Sequence, residues 1–246
     1  MRVIGTRIDK VDYISASNQA ALWAKGTLPE AYICAANVHM LMEAYDSSYF
    51  GGVVDNASLV TPDGVPLVWM MRLKGARDQQ RVYGPTLMLH LLEIAATEAI
   101  AVGFYGGTPD VLKRLVDRMQ ARYVGLIVKF AWSPPFSDMS PQEDVEVINQ
   151  INQSGVRILF VGLGCPKQEI WMANHKGRVH AVMLGVGAAF DFHAGVKKQA
   201  PAWMQKIGLE WLFRLFSEPG RLWKRYLYNN PRFVVLAAAD LLGLLR

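Results

Sequence analysis

Three short patterns in this sequence carry side chains suited to chemistry. The first is Asp63, in Thr61-Pro62-Asp63-Gly64, directly after the apolar run 58–60. An Asp in Pro-Asp-Gly is a favoured turn residue whose carboxylate bonds the local backbone. At the rim of a sheet, partly desolvated, the same carboxylate could instead accept a proton from a substrate hydroxyl. The second pattern breaks the run 158–161 at Gly162, Gly164 and Pro166 and continues as KQEIWMANH, with Lys167, Gln168 and Glu169 in the first helical turn. Helix starts present unpaired N–H groups and partial positive charge, so this turn suits a phosphate or diphosphate. A similar unit follows, with 181–184 as strand, Gly185 and Gly187 as turn, and then Asp191. The third pattern is a basic, aromatic tail.

Six short apolar runs must position these groups: 31–36, 58–60, 101–105, 126–130, 158–161 and 181–184. They alternate with helical segments, which predicts an α/β fold, a Rossmann-like, mostly parallel sheet of about six strands with helices on both faces. Asn37, Asp63, Gly106, Gly162 and Gly185 each follow a strand end, where such sheets bind ligands. Residues 1–30 read as a strand or short hairpin and a helix ending at Gly26. Asn37 is placed to cap the helix VHMLMEAYD, and His39 reads as a surface or packing histidine. Gly84 and Pro85 open one helix and Thr108-Pro109 another, while Arg81 on its own could simply be a solvated surface charge. The Pro- and Ser-rich loop 132–143 follows a strand end and could cover a ligand.

The 246 residues, 52% of them hydrophobic, suffice for one α/β domain over 1–194 with an appendage over 195–246. Two distant cysteines form no disulfide or zinc pattern, so a reduced cytosolic chain is expected, with Cys165 a packing residue rather than a nucleophile. The N-terminus lacks the apolar core of a signal peptide, and no apolar run reaches membrane-spanning length. Residues 195–246 hold nine of the 26 Lys and Arg but three of the 21 Asp and Glu, so all the excess positive charge lies in the tail. Pro201, Pro219 and Pro231 divide this tail into three expected helices. Its stripes, Trp203, Ile207, Trp211 and Leu215, then Leu222, Tyr226 and Leu227, fit either a core face or a membrane interface. Nucleic acid is the weakest reading of the charge, since the cations are few and no nucleic-acid signature occurs. No Asp-x-Asp clamp for a divalent metal occurs either, so no metal and no cofactor are expected.

The segments GLGCPKQE, GVGAAFDFHAG and KQAPAWMQKIGLEWLFRLFSEPGR resemble the WecG/TagA/CpsF family of bacterial glycosyltransferases, glycosyltransferase family 26, and the likeness covers nearly the whole chain. It implies an inverting hexosyltransferase at the inner face of the cytoplasmic membrane. The donor would be a UDP-sugar carrying N-acetylmannosamine, its uronic acid or glucose. The acceptor would be a polyprenyl-diphosphate-linked saccharide bound for teichoic acid, capsule, common antigen or exopolysaccharide. Asp63 matches the proposed base of the family's DG motif, and Arg81 and Gly84 match its R-V-x-G segment, with Thr86 where Asp is common. Asn37 matches the Asn of a T-x-N-x-E-like signature in which Ala35 and His39 replace the Thr and Glu. Arg214, Arg221 and Lys224 match the cations of a membrane-targeting appendage that completes the active site. Asp63, Arg81 and Gln168 are thus the catalytic candidates. The donor diphosphate is expected near the Gly162 to Gln168 turn, which holds Gly164, Pro166 and Lys167, and its nucleoside toward Gly187 and Asp191, with Glu169 and Gly185 as further substrate-binding candidates. Two other classes share parts of the pattern. A nucleotide-cofactor oxidoreductase of the NAD type would use the glycine turns but needs the missing G-x-G-x-x-G and acidic ribose ligand. A non-catalytic membrane-associated nucleotide-sugar-binding protein would keep the tail. A homo-oligomer stays open.

Overall fold

In the computed structural model, which describes residues 1–26, 30–135 and 139–245, each of the six apolar runs is a strand. A hairpin of β1 (Arg2–Val3) and β2 (Thr6–Arg7) leads through α1 (Tyr13–Lys25) to β3 (Tyr32–Ala36), and α2 (Val38–Asp46) and α3 (Ser48–Asp55) return to β4 (Leu59–Pro62). Helices α4 (Val65–Leu73) and α5 (Gly84–Thr97) cross to β5 (Val102–Gly106), followed by α6 (Pro109–Arg122), β6 (Val128–Trp132) and α7 (Pro141–Ser154). Then come β7 (Ile158–Gly162), α8 (Lys167–His175), β8 (Val182–Gly185), α9 (Ala189–His193), α10 (Ala202–Lys206), α11 (Glu210–Ser217) and α12 (Pro219–Leu241). Residues 136–138 of the Pro- and Ser-rich loop lie outside the described residues.

The sheet is wholly parallel, in the order β4-β3-β8-β7-β5-β6. Every residue of β3 and β5 is buried, as a sheet covered on both faces requires. One core packs α2, α3, α4, α7 and α8 on one face through residues such as Met40, Phe50, Leu67, Ile148 and Met172. The other packs α1, α5, α6 and α9 through Ala20, Leu87, Leu115 and Phe190. The expected α/β architecture is therefore present.

The order of the strands decides where a site can form. The chain builds β3 and β4 at one edge, crosses over to β5 and β6, and then inserts β7 and β8 in the middle. The C-terminal ends of β4, β3, β8 and β7 thereby become neighbours, and the loops after them share one rim. Gly106 and Gly162 serve this packing. A Cβ on Gly162 would lie 2.6 Å from the Phe190 ring, and one on Gly106 2.6 Å from the Gly162 backbone.

The tail departs from the expected division. Its break falls at residues 207–209, between α10 and α11, whereas Pro231 lies inside a continuous α12. Pro231 removes one helical hydrogen bond, but Leu222, Asn229, Phe233 and Ala237 bury one face on both sides of it, and that packing carries the helix through. Phe233 and Ala237 join the core of the sheet, and Asp240 fixes the end of α12 by accepting from the Ile4 N–H at 2.9 Å and the Lys74 ammonium at 2.7 Å. Trp203, Phe216 and Leu227 remain exposed, so these members of the aromatic tail do not form a core. Among the described residues no helix is long and apolar enough to cross a membrane.

Replacing Gly162 with Ala forces the buried Phe190 ring off its edge-on contact with Phe104. Denaturant unfolding should show a loss of about 1–3 kcal/mol, reduced when Phe190→Leu is also present. An unchanged midpoint would contradict this packing.

Candidate active site

The turn after β4 is stitched to the end of β3, because the N–H groups of Asp63 and Gly64 both donate to the Ala36 carbonyl at 2.9 Å. Asn37 therefore sits beside Asp63 and has two tasks. Its side-chain oxygen caps α2 by accepting from the Met40 N–H at 3.2 Å, and its amide lies close enough to the Asp63 carboxylate to lower that group's proton affinity slightly. Asp63 Oδ1 also accepts from the Gly84 N–H at 3.1 Å and lies 3.6 Å from the Arg81 guanidinium. Only 14% of the Asp63 side chain is exposed. Burial raises its proton affinity, the Arg81 charge opposes that, Glu210 adds to it, and the result is a carboxyl pushed up to about 6.

Arg81 is not a solvated surface charge. Its guanidinium donates to Glu210 Oε2 at 2.7 Å, to the Asp63 carbonyl, and lies 4.0 Å over the Tyr83 ring. Tyr83 completes the cluster by donating its hydroxyl to Glu210 Oε1 at 2.9 Å. Glu210 belongs to α11, so a carboxylate of the tail and one of the sheet share a single guanidinium.

These groups line a cavity of about 940 Å³, within the range of small-molecule sites. The rim contributes Asn37, Asp63, Arg81, Gly164, Pro166, Lys167, Gln168, Gly185 and Gly187, and the tail contributes Glu210, Arg214, Arg221, Arg225, Tyr226 and Asn229. Four sequence-derived candidates are not on its wall. Gly162 packs under Phe190, and Glu169 is fully buried behind Gln168. Asp191 pairs with Lys197 at 2.8 Å. Lys224 sits over the Trp223 ring, at 5.6 Å, while the next residue, Arg225, faces inward on the same helical side as Arg221.

Gln168 has a role that the glycine pattern conceals. Its side-chain oxygen accepts from both the Gly164 and the Gly187 N–H, each at 3.1 Å, so one amide clamps the two glycine turns together. A Cβ on Gly185 would lie 2.9 Å from Gln168 Nε2. The absent side chain therefore makes room for Gln168, where the sequence suggested room for a ligand. Gln168 Nε2 in turn donates to Glu169 Oε1 at 2.7 Å, and burial pushes Glu169 up to about 7. Burial also raises the Cys165 thiol well above its ordinary value, as expected of a packing residue.

The tail side of the cavity is short of negative charge. Arg214 buries an Nε with no partner, Arg221 pairs with Glu218 at 2.7 Å, and burial lowers Arg225, with Arg221 and Arg214 crowding it further. Such a wall favours an anion. His39, pushed down to about 4 by burial, is neutral at pH 7 and shares a 3.2 Å hydrogen bond with the Asn229 amide, which ties α2 to α12. Among the described residues no group of three or more His, Cys, Asp or Glu is arranged to hold a metal ion.

Glu210→Gln leaves Arg81 without its full countercharge and weakens the docking of the tail. Thermal or urea unfolding should report a loss of about 1–3 kcal/mol, with faster tryptic cleavage at Arg214 and Arg221. Unaltered stability and cleavage would show that Glu210 does not latch the tail.

A family model described as the glycosyl transferase WecG/TagA/CpsF family matches residues 1–246. A Bacillus subtilis (strain 168) protein named N-acetylglucosaminyldiphosphoundecaprenol N-acetyl-beta-D-mannosaminyltransferase is 34% identical over 191 residues, covering 77% of this chain and 72% of that one. A Bacillus spizizenii protein of the same name is 32% identical over 205 residues, covering 83% and 77%. With its whole length matched and its rim carboxylate enclosed by a cationic tail, the chain belongs to the WecG/TagA/CpsF family of glycosyl transferases.

Proposed function

We propose that this chain transfers N-acetylmannosamine, or a closely related sugar, from a UDP-linked donor to a saccharide on polyprenyl diphosphate, with inversion at the anomeric carbon, in cell-surface polysaccharide synthesis. One observation carries the reading: Asp63, largely desolvated and held at about 6, shares one cavity with Arg214, Arg221 and Arg225. A carboxylate of that proton affinity is ionised at neutral pH yet basic enough to help an attacking hydroxyl. Both substrates would bring a diphosphate, and these arginines with Lys167 at the start of α8 answer that charge.

In this mechanism the acceptor hydroxyl gives its proton to Asp63 as its oxygen attacks the anomeric carbon. The bond from that carbon to the diphosphate breaks, and UDP departs with its charge met by the protein's own cations, without a metal. The relatives' printed names specify a beta-linked sugar, which a single displacement yields from an alpha-linked donor. Arg81 orients Asp63 and compensates its charge, whereas Gln168 acts by holding the two rim turns in register. Residues 195–246 act as the appendage that closes the site and rests on the inner face of the cytoplasmic membrane. Exposed Trp203, Phe216 and Trp223 among cations support that placement.

Asp63→Asn should lower turnover by about a hundredfold to ten-thousandfold. In the unsubstituted enzyme, turnover should be flat above the value of about 6 and fall about tenfold per pH unit below it, as the base becomes protonated. Stability should move the other way. The cost of burying ionised Asp63 is absent below its unfolded value near 3.8 and complete above about 6. Asp63→Asn should therefore stabilise the fold at pH 7 by up to about 3 kcal/mol and lose that gain as pH falls through 6 toward 4. Unimpaired transfer by purified Asp63→Asn protein would reject the assignment.

A further inference from the structure

The face of α12 that lines the cavity changes character along its axis. Arg221, Arg225, Asn229, Phe233, Ala237 and Leu241, each four residues after the last, form one ridge that winds slowly around the helix, and all line the cavity. Toward the C-terminus this wall passes from guanidinium through amide to hydrocarbon. Helix α4 supplies the opposite wall of the apolar half through Val65, Trp69, Met70 and Leu73. The two helices are tied at the far end by the 2.7 Å pair between Lys74 and Asp240. From Arg225 to Leu241 it runs about 24 Å at the helical rise.

Its rims are unusual for a surface in water. Trp69, Leu73, Val234 and Leu241 are 49%, 69%, 66% and 43% exposed, and all four line the cavity. A contiguous apolar trough that opens into a cationic pocket marks a binding site. Its occupant must present an anion at one end and a long hydrocarbon at the other. A nucleotide sugar has no hydrocarbon, and a soluble saccharide has neither feature.

We propose that the groove between α4 and the second half of α12 holds the prenyl chain of the acceptor, with the diphosphate at its arginine end. This deepens the transfer reading given above and rests on it. The acceptor would thus be gripped by the protein along part of its lipid, not merely presented by the bilayer. Asp63 lines the same cavity, so the sugar that follows the diphosphate would share it with that carboxylate.

The test uses full-length protein and N-acetylglucosaminyl diphosphates bearing 10-, 15- or 20-carbon prenyl chains, without detergent or vesicles and below the concentrations at which they aggregate. KM for the acceptor should fall at least tenfold from 10 to 20 carbons, since burying about two further CH2 groups already supplies that factor, with kcat unchanged. Val234→Glu with Leu241→Glu, both at exposed positions, should return the 20-carbon KM to the 10-carbon value. Ile14→Glu with Leu22→Glu, also exposed and on α1, should leave the length dependence intact. A wild-type KM that is the same for every chain length overturns the groove while leaving the transfer reading standing. A binding arm keeps the two readings separate even where no transfer occurs. A 20-carbon prenyl diphosphate with a photoreactive tail should label α4 and α12 around Trp69, Leu73, Val234 and Leu241. Labelling elsewhere, or a dimer through this face that the prenyl diphosphate does not dissociate, would overturn the proposal.

Discussion

The charge of Arg81, shared between Asp63 on the sheet and Glu210 on the tail, is the interaction on which this structure turns. Two desolvated carboxylates facing one cavity repel each other. A guanidinium 2.7 Å from one and 3.6 Å from the other lets both approach. The balance is uneven, since Glu210 holds Arg81 more closely and burial dominates at Asp63, so Asp63 keeps a raised proton affinity. The proton affinity of Asp63 and the docking of the tail are consequently one electrostatic problem. The tail does more than cover the site, because its carboxylate helps set the basicity of the group beneath it.

A second constraint acts at the middle of the rim. Loops after β7 and β8 would be free to move separately were they not joined through Gln168, whose oxygen takes an N–H from each. Burying that amide requires full hydrogen bonding on both its ends. Glu169 supplies the remaining acceptor at 2.7 Å. Two N–H groups that glycine turns ordinarily offer to a phosphate are thus already spent. The start of α8 and the arginines of α11 and α12 remain to answer the diphosphates of the proposed substrates.

Local signals in the sequence carried most of the fold. The strands ended within two residues of the expected ends, because apolar runs bounded by Gly, Pro and Asn leave little freedom. Asn37, Asp63 and the α8 start were legible for the same reason, since each belongs to a strand end and its following turn. What could not be read depends on distance in the chain. Glu210 meets Arg81 across 129 residues, and nothing in GLEWLFRL marks it as other than a solvated first-turn acid. Arg225 and Lys224 are adjacent cations, and only the rotation of α12 against α2 decides which faces the cavity. Gly162 reads like a ligand turn but yields to Phe190, whose position depends on α9 folding back over the sheet. Pro231 signals a helix start locally, yet burial on both sides of it overrides that signal.

The central claim is that Asp63 is a desolvated carboxylate whose proton affinity is set jointly by burial, Arg81 and Glu210. Carbon-13 NMR titration of the Asp63 carboxyl in the full-length protein, assigned by its loss in Asp63→Asn, tests this directly. A midpoint near 6 is the result expected. A midpoint at or below the ordinary aspartate value of 3.8 would show a solvated or fully ion-paired carboxylate and would contradict the account.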